Sequence, residues 1–168
     1  MPYVLAGDFG GTRMRTALVD NDGHIRKRSS QLTEAKRGPD IVIQKFLHDA
    51  IKIGNSVDKS EIVGISLALS GPIDPVTGTL RNPPHLPGWD GFSPKFSIQK
   101  QISLPITLVN DATAATLAEH LYGAGRGLDN MIYMTISTGI GGGIIVNGKL
   151  VFGAHGFAGE VGHQTIDT

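Results

Sequence analysis

The chain has 168 residues, 15 Lys and Arg against 15 Asp and Glu, and no cysteine. That length suffices for one ordinary domain, a balanced charge gives no net field toward nucleic acid or an anionic membrane, and the lack of cysteine excludes disulfides and thiolate-bound metal within these residues. Glycine is the anomaly: 23 residues, about twice the usual share, gathered in clusters where backbone must take positive φ or lie close to something else. Met1-Pro2-Tyr3 leads into an apolar run with no basic leader, and no stretch is long and apolar enough to span a membrane. A cytoplasmic protein with a small-molecule partner is expected.

Residues 3–6 read as a short strand and residues 13–20 as a second, joined by Gly7-Asp8-Phe9-Gly10-Gly11-Thr12. Asn21-Asp22-Gly23 supplies a hairpin turn into a third strand at 24–31. Arg26, Lys27, Arg28, Lys36 and Arg37 face only Glu34 in this region, which reads as a solvated outer strand and loop rather than a nucleic-acid patch. Pro39 suits the first helical position, and Ile43, Phe46, Leu47, Ala50 and Ile51 recur at helical spacing until Gly54-Asn55. Residues 62–69 form a continuous apolar run, as expected for a strand buried on both faces. A proline- and glycine-rich stretch at 71–91 holds the only tryptophan, Trp89, and a long irregular segment with buried aromatics is expected to be ordered and functional.

Ser93-Pro94 opens a helix to about residue 102, and the β-branched residues after Pro105 form a strand ending at Asn110-Asp111. One of these two caps a helix of good helix formers at 112–122. Gly123, Gly125 and Gly127 mark a domain boundary, with residues 1–122 as a first lobe and 123–168 as an incomplete second. Strands follow at 131–136 and 143–146, Asn147-Gly148 turns into 149–152, and a last short strand covers 164–166. The strand order of the first lobe thus begins again in the second. Gly10 and Gly139 occupy the same turn in each copy, which points to a duplicated unit.

Glycine hairpins let consecutive N–H groups converge on an anion. Asp8 beside one would repel phosphate directly but suits hydrated Mg²⁺ that bridges to phosphate, and Thr12 and Thr138 could add hydroxyl donors. Either turn alone is more often a plain tight hairpin; two at equivalent positions are harder to dismiss. No Walker-type run occurs and no G-x-G-x-x-G opens a helix after a strand. Asp111 alone is best read as a cap, but with Asn110 beside it one of the pair is left to face a pocket, where a carboxylate can take a proton during phosphoryl transfer. Glu160 and His163 read either as a surface Glu with a core His, as part of a metal site, or as ligands to sugar hydroxyls.

Asp8-Phe-Gly-Gly-Thr-Arg-Met-Arg-Thr-Ala-Leu-Val-Asp, Val109-Asn-Asp-Ala-Thr-Ala-Ala, and Thr135-Ile-Ser-Thr-Gly-Ile-Gly-Gly-Gly-Ile through Ala158-Gly-Glu-Val-Gly-His closely resemble the ROK family of sugar kinases and repressors, most nearly its bacterial glucokinases. The resemblance implies an α/β, actin-like ATPase fold of the hexokinase type (ribonuclease H-like), with two duplicated lobes and ATP-Mg²⁺ meeting sugar in the cleft between them. The first lobe is essentially complete here and the second partial. It implies phosphate or nucleotide binding by Asp8, Gly10, Gly11, Thr12, Arg13, Thr138, Gly139, Gly141 and Gly142, with Asp8 reaching Mg²⁺ through water. Asp111 is then the base on the sugar 6-hydroxyl, and Gly71, Asn82, His85, Asn110, Asp111, Glu160 and His163 bind glucose. In the family the match to His163 is followed by a cysteine-rich run that completes a structural zinc site; this chain has no cysteine, so His163 would hold zinc only if those cysteines were supplied.

The expectation is therefore a truncated ATP-dependent glucokinase, about the N-terminal half of a typical member. Glucose and ATP are the partners, with no nucleic acid and no membrane, and a homodimer is left open. Other readings are a kinase for fructose, mannose or N-acetylmannosamine, a non-catalytic sugar-binding fragment, or a repressor, which would need a helix-turn-helix before Asp8.

Overall fold

Strand β1 (Tyr3–Phe9) pairs antiparallel with β2 (Arg13–Asp20), and β2 with β3 (Ile25–Leu32). In the computed structural model, which describes residues 1–74, 76–137 and 139–165, two compact units are found, Met1–Val109 and Asn110–Thr168. The first is built on the sheet order β3-β2-β1-β4-β5, with β4 (Ile62–Leu69) parallel to β1 and β5 (Ile106–Asn110) beside it. Strict alternation drives β2: Met14, Thr16, Leu18 and Asp20 are buried while Arg13 and Arg15 are exposed. β3 lies at the sheet edge with its first four residues exposed, so the basic run is indeed a solvated outer strand. β4 is fully buried at Ile65, Leu67 and Leu69 but only partly at Ser66 and Ala68, and Val63 is exposed; one face is sealed, not both.

Helix α1 (Pro39–Gly54) connects β3 to β4 and carries Pro39 at its first turn after Gly38 (φ 93°). It buries Val42, Ile43, Phe46, Leu47, Ala50 and Ile53. Ile51, expected in the stripe, is exposed because the stripe centred on Phe46 and Ala50 turns past it toward Ile53. Phe9 packs on Phe46 with ring centroids 5.4 Å apart and edge-on against Trp89 at 6.1 Å, and Trp89 meets Phe92 at 5.4 Å. The described residues of the irregular stretch at 71–91 are thus held from within: Leu80, Leu86 and Trp89 are completely buried. Helix α2 (Pro94–Gln99) is shorter than expected, because the N–H groups of Gln101 and Ile102 both converge on the Ile98 carbonyl and tighten the chain out of the helix. The side chain of Ser93 caps it, accepting from the Phe96 N–H at 3.3 Å.

The second unit consists of α3 (Asp111–Tyr122) and a sheet of order β6-β7-β8, formed by β6 (Met131–Ile136), β7 (Ile140–Val146) and β8 (Lys149–Leu150). Its three strands repeat the β1-β2-β3 arrangement, with Gly139 in the turn that corresponds to Gly10. Asn147 (φ 50°) and Gly148 (φ 69°) form the expected hairpin turn. By contacts the units meet at Val109/Asn110, while the lobe boundary expected from the sequence stands at 122/123. The reason is packing: a Cβ on Gly141 would stand 2.9 Å from the Ala112 Cβ, and one on Gly143 would run into the Thr116 side chain, so α3 is seated on β7. The strand expected at 143–146 begins at Ile140, and that expected at 149–152 ends at Leu150. Gln164 and Thr165 are not strand, and Ile166 lies outside the described residues. Among the described residues no helix is long and apolar enough to cross a membrane.

Candidate functional site

In the first unit Asp8 is the penultimate residue of β1, two positions before the turn at Gly10–Thr12, and is paired across the hairpin with Arg15. Arg15 Nη1 donates to Asp8 Oδ2 at 2.6 Å. Both side chains are partly exposed, and Oδ1 has no partner among the described residues. A carboxylate with one oxygen open to water fits an outer-sphere ligand of Mg²⁺. The turn itself is closed by the Gly10 N–H donating to the Arg13 carbonyl at 3.1 Å. Thr33, buried, braces it from behind: its hydroxyl donates to the Gly10 carbonyl at 2.6 Å and its N–H to the Thr12 carbonyl at 2.9 Å. Among the described residues the N–H groups of Gly11 and Thr12 meet no acceptor, which leaves two donors for an anion. Sequence reading missed Arg15 and Thr33. Arg15 was reachable from the hairpin register, since it faces Asp8; nothing local marks Thr33.

Gly71 takes φ 126°, and a Cβ there would stand 2.7 Å from the Pro83 Cβ. Asn82 also takes a positive φ, 42°, with its N–H donating to Asp90 Oδ1 at 2.8 Å, and both Asn82 and His85 are exposed. Gly71, Asn82 and His85 therefore belong to one loop. The carboxylate of Asp74 braces that loop. It accepts from the N–H of Thr77, from Arg81 and from the N–H of Val76, and these hold its carboxyl well below the usual carboxylate range.

In the second unit Asn110 is the helix cap. Its Oδ1 accepts from the N–H groups of Ala112 at 2.9 Å and Thr113 at 3.2 Å. Asp111 is the first helical residue, its Oδ1 2.8 Å from the Ala112 nitrogen, at the positive end of α3. The choice of cap left open by the sequence thus falls on Asn110. In the turn between β6 and β7 the Ser137 N–H donates to the Gly139 carbonyl at 2.9 Å; Thr138 lies outside the described residues. Gly141 and Gly142 lie in β7, where Gly141 faces Ala112 and Gly142 faces Gly159.

Gly159 (φ 94°) lies so close to β7 that a Cβ on it would stand 2.7 Å from the Gly142 carbonyl oxygen. This close approach positions the 3₁₀ turn Val161–His163, in which Glu160 and His163 share a side with Oε2 and Nε2 3.8 Å apart. His163 is largely exposed, so it is not a core histidine. The chain has no cysteine to stand beside His163. The structure brings Glu160 and His163 together, Asn110 and Asp111 together, and the first turn and the 71–91 loop together. A further group of carboxylates and imidazole, Asp20, Asp22 and His24, is a β-turn cap: burial works against the ionised Asp20, but the N–H of His24, the Arg26 guanidinium and the N–H of Asp22 outweigh it and hold its carboxyl below the usual range.

The ROK family model matches residues 4–168. A glucokinase of Halalkalibacterium halodurans is 35% identical over 166 residues, covering 98% of this chain and 50% of that protein. An N-acetylmannosamine kinase of Shigella flexneri is also 35% identical, over 164 residues, covering 98% of this chain and 54% of its own length. Among solved structures, a ROK family glucokinase from Streptomyces griseus, in complex with glucose and AMPPNP, superimposes with a TM-score of 0.87 at 28% identity, covering 98% of this chain and 51% of that one. The chain spans about half the length of the curated relatives it matches. The shared fold is the actin-like, hexokinase-type α/β fold.

Proposed function

Because the chain belongs to the ROK family, we propose that it carries the hexose-binding and proton-accepting half of an ATP-dependent sugar kinase, acting on the 6-hydroxyl of glucose. The observation that carries this reading is the division of labour at the strand-to-helix junction, where Asn110 caps α3 and Asp111 follows as its first residue. Asp111 accepts the proton of the sugar 6-hydroxyl as that oxygen attacks the terminal phosphorus of ATP, whose bond to the bridging oxygen breaks to release ADP. Asn110, Glu160 and His163, with Gly71, Asn82 and His85, hold the remaining hydroxyls, each of which both donates and accepts. The glycine turns at Gly10–Thr12 and at Thr138–Gly139 offer N–H donors to phosphate, with Arg13 nearby and the bare backbone of Gly141 and Gly142 following the second. Asp8 would hold Mg²⁺ through water, and the ion would supply positive charge to the phosphate oxygens. A cytoplasmic location, where ATP and free sugar meet, belongs to the same reading.

Glucose is preferred over N-acetylmannosamine on the likeness of the Asn82-Pro-Pro-His85-Leu-Pro-Gly-Trp89 loop, although relatives of both kinds are equally identical in sequence. The deciding experiment measures ADP release from ATP by the 168-residue chain with glucose, N-acetylmannosamine, mannose and fructose, beside calorimetric binding of each sugar. Turnover highest with glucose supports the assignment. Glucose binding without turnover makes the chain a sugar-binding fragment, and binding of none of the four overturns the reading.

A further inference from the structure

Two parts of the first unit with separate roles above, the turn at Gly10–Thr12 and the loop at 71–91, are one mechanical piece. A Cβ on Gly11 would stand 2.9 Å from both the Cβ and the carbonyl oxygen of His85, so turn and loop touch with no side chain between them. Beneath this contact Phe9, the residue before the turn, packs edge-on against Trp89, the anchor of the loop. The loop is stiffened between them by the Leu86 N–H donating to the Pro83 carbonyl and the Trp89 N–H to the Leu86 carbonyl, both at 3.2 Å. One polar group does not fit this arrangement. The indole Nε1–H of Trp89 is wholly buried and meets no acceptor among the described residues. An unpaired buried donor is satisfied by any small rearrangement that brings an oxygen to it, so the loop has a polar reason to shift.

Resting on the sugar and phosphate roles assigned above, we propose that Gly11 and Trp89 are positioning residues that couple the two subsites, so that an anion on the turn and a hexose on the loop each tighten the binding of the other. An anion that orders Gly11 and Thr12 also fixes the backbone of His85 through direct contact. The hexose then meets a loop whose ordering cost has already been met.

The test is linkage on the 168-residue chain by calorimetry. Glucose is titrated alone and with saturating inorganic tripolyphosphate, which presents phosphate without a nucleoside. Tripolyphosphate lowers the glucose Kd roughly fivefold, and saturating glucose lowers the tripolyphosphate Kd by the same factor, as reciprocity requires. Gly11→Ala, whose Cβ has no room against His85, brings that factor to about one. Trp89→Phe leaves every proposed ligand-binding residue in place and serves if Gly11→Ala does not fold; it also reduces the factor while each ligand still binds. A merely structural role for these residues would weaken both ligands and leave the factor unchanged, and that result overturns the proposal. If both ligands bind the unaltered chain independently, the coupling is wrong and the subsite roles stand. If neither binds, the subsite roles fail and the coupling with them.

Discussion

The two units of this chain use helix-on-sheet packing in opposite ways. In the first, α1 presses Ile43, Phe46 and Leu47 onto the sheet, and Phe9, Trp89 and Phe92 extend the same apolar mass into the loop. In the second, α3 buries only Ala112 and Thr116, seated against bare glycines of β7, while Ile132, Met134 and Ile136 of β6 remain exposed. One unit is held by buried area, the other by close backbone approach. Burial of large side chains stabilises in proportion to area, whereas close approach adds little area and tolerates no added atom. The two should therefore fail by different substitutions.

The largest effect is expected from Phe46→Ala, which opens a cavity beside Phe9 and should destabilise the first unit by about 3–5 kcal/mol. Urea unfolding followed by Trp89 emission measures it, since the only tryptophan lies in that unit; a loss near zero would break the comparison. Next is Gly143→Ala, whose methyl meets the Thr116 side chain and should cost about 1–3 kcal/mol by overpacking. Here amide exchange in α3 and β7 should speed up while the Trp89 transition keeps its midpoint. Equal movement of both would mean that the units unfold as one.

Acid should act on the first unit. Asp74, Asp20, Asp58 and Glu34 all have folded-state pKa values below their ordinary ones: the Thr77 N–H and Arg81 hold Asp74 low, the backbone and Arg26 Asp20 against its burial, Ser60 Asp58, and Lys45 Glu34. Groups with depressed values stabilise the fold fully above the unfolded carboxylate range near pH 4 and lose that contribution as pH falls through their folded values. The Trp89 urea midpoint should hold from pH 7 to about 5 and fall below about 4, with Asp74→Asn flattening part of the slope; a midpoint that rises on acidification contradicts this. The smallest effect is expected from Ile136→Lys on the exposed face of β6, within about 0.5 kcal/mol of neutral, with reduced binding of a hydrophobic dye.

Much of the first unit was legible because its signals are periodic. The alternation of 13–20 and the apolar run of 62–69 each state a backbone geometry directly, and in the second unit the Asn147-Gly148 turn does the same. The seat of α3 was not, because it depends on close contacts with Gly141 and Gly143 that no local signal marks. Glycine for a turn and glycine for a close approach are identical in sequence. So are the two capping residues: Asn and Asp cap equally well, and only the structure assigns the cap to Asn110. Arg15 opposite Asp8 followed from register, whereas Thr33 behind the turn followed from nothing local.

Asn110 is both the last residue of β5 and the cap of α3. During synthesis every strand of the first sheet has left the ribosome once Asn110 has emerged, so that sheet can close while the rest of the chain is still being made. Starting a helix is the slow and costly part of making one. A cap already fixed at the end of a finished strand supplies that start, and the proposed base at Asp111 is then the first residue laid down on the newly begun helix.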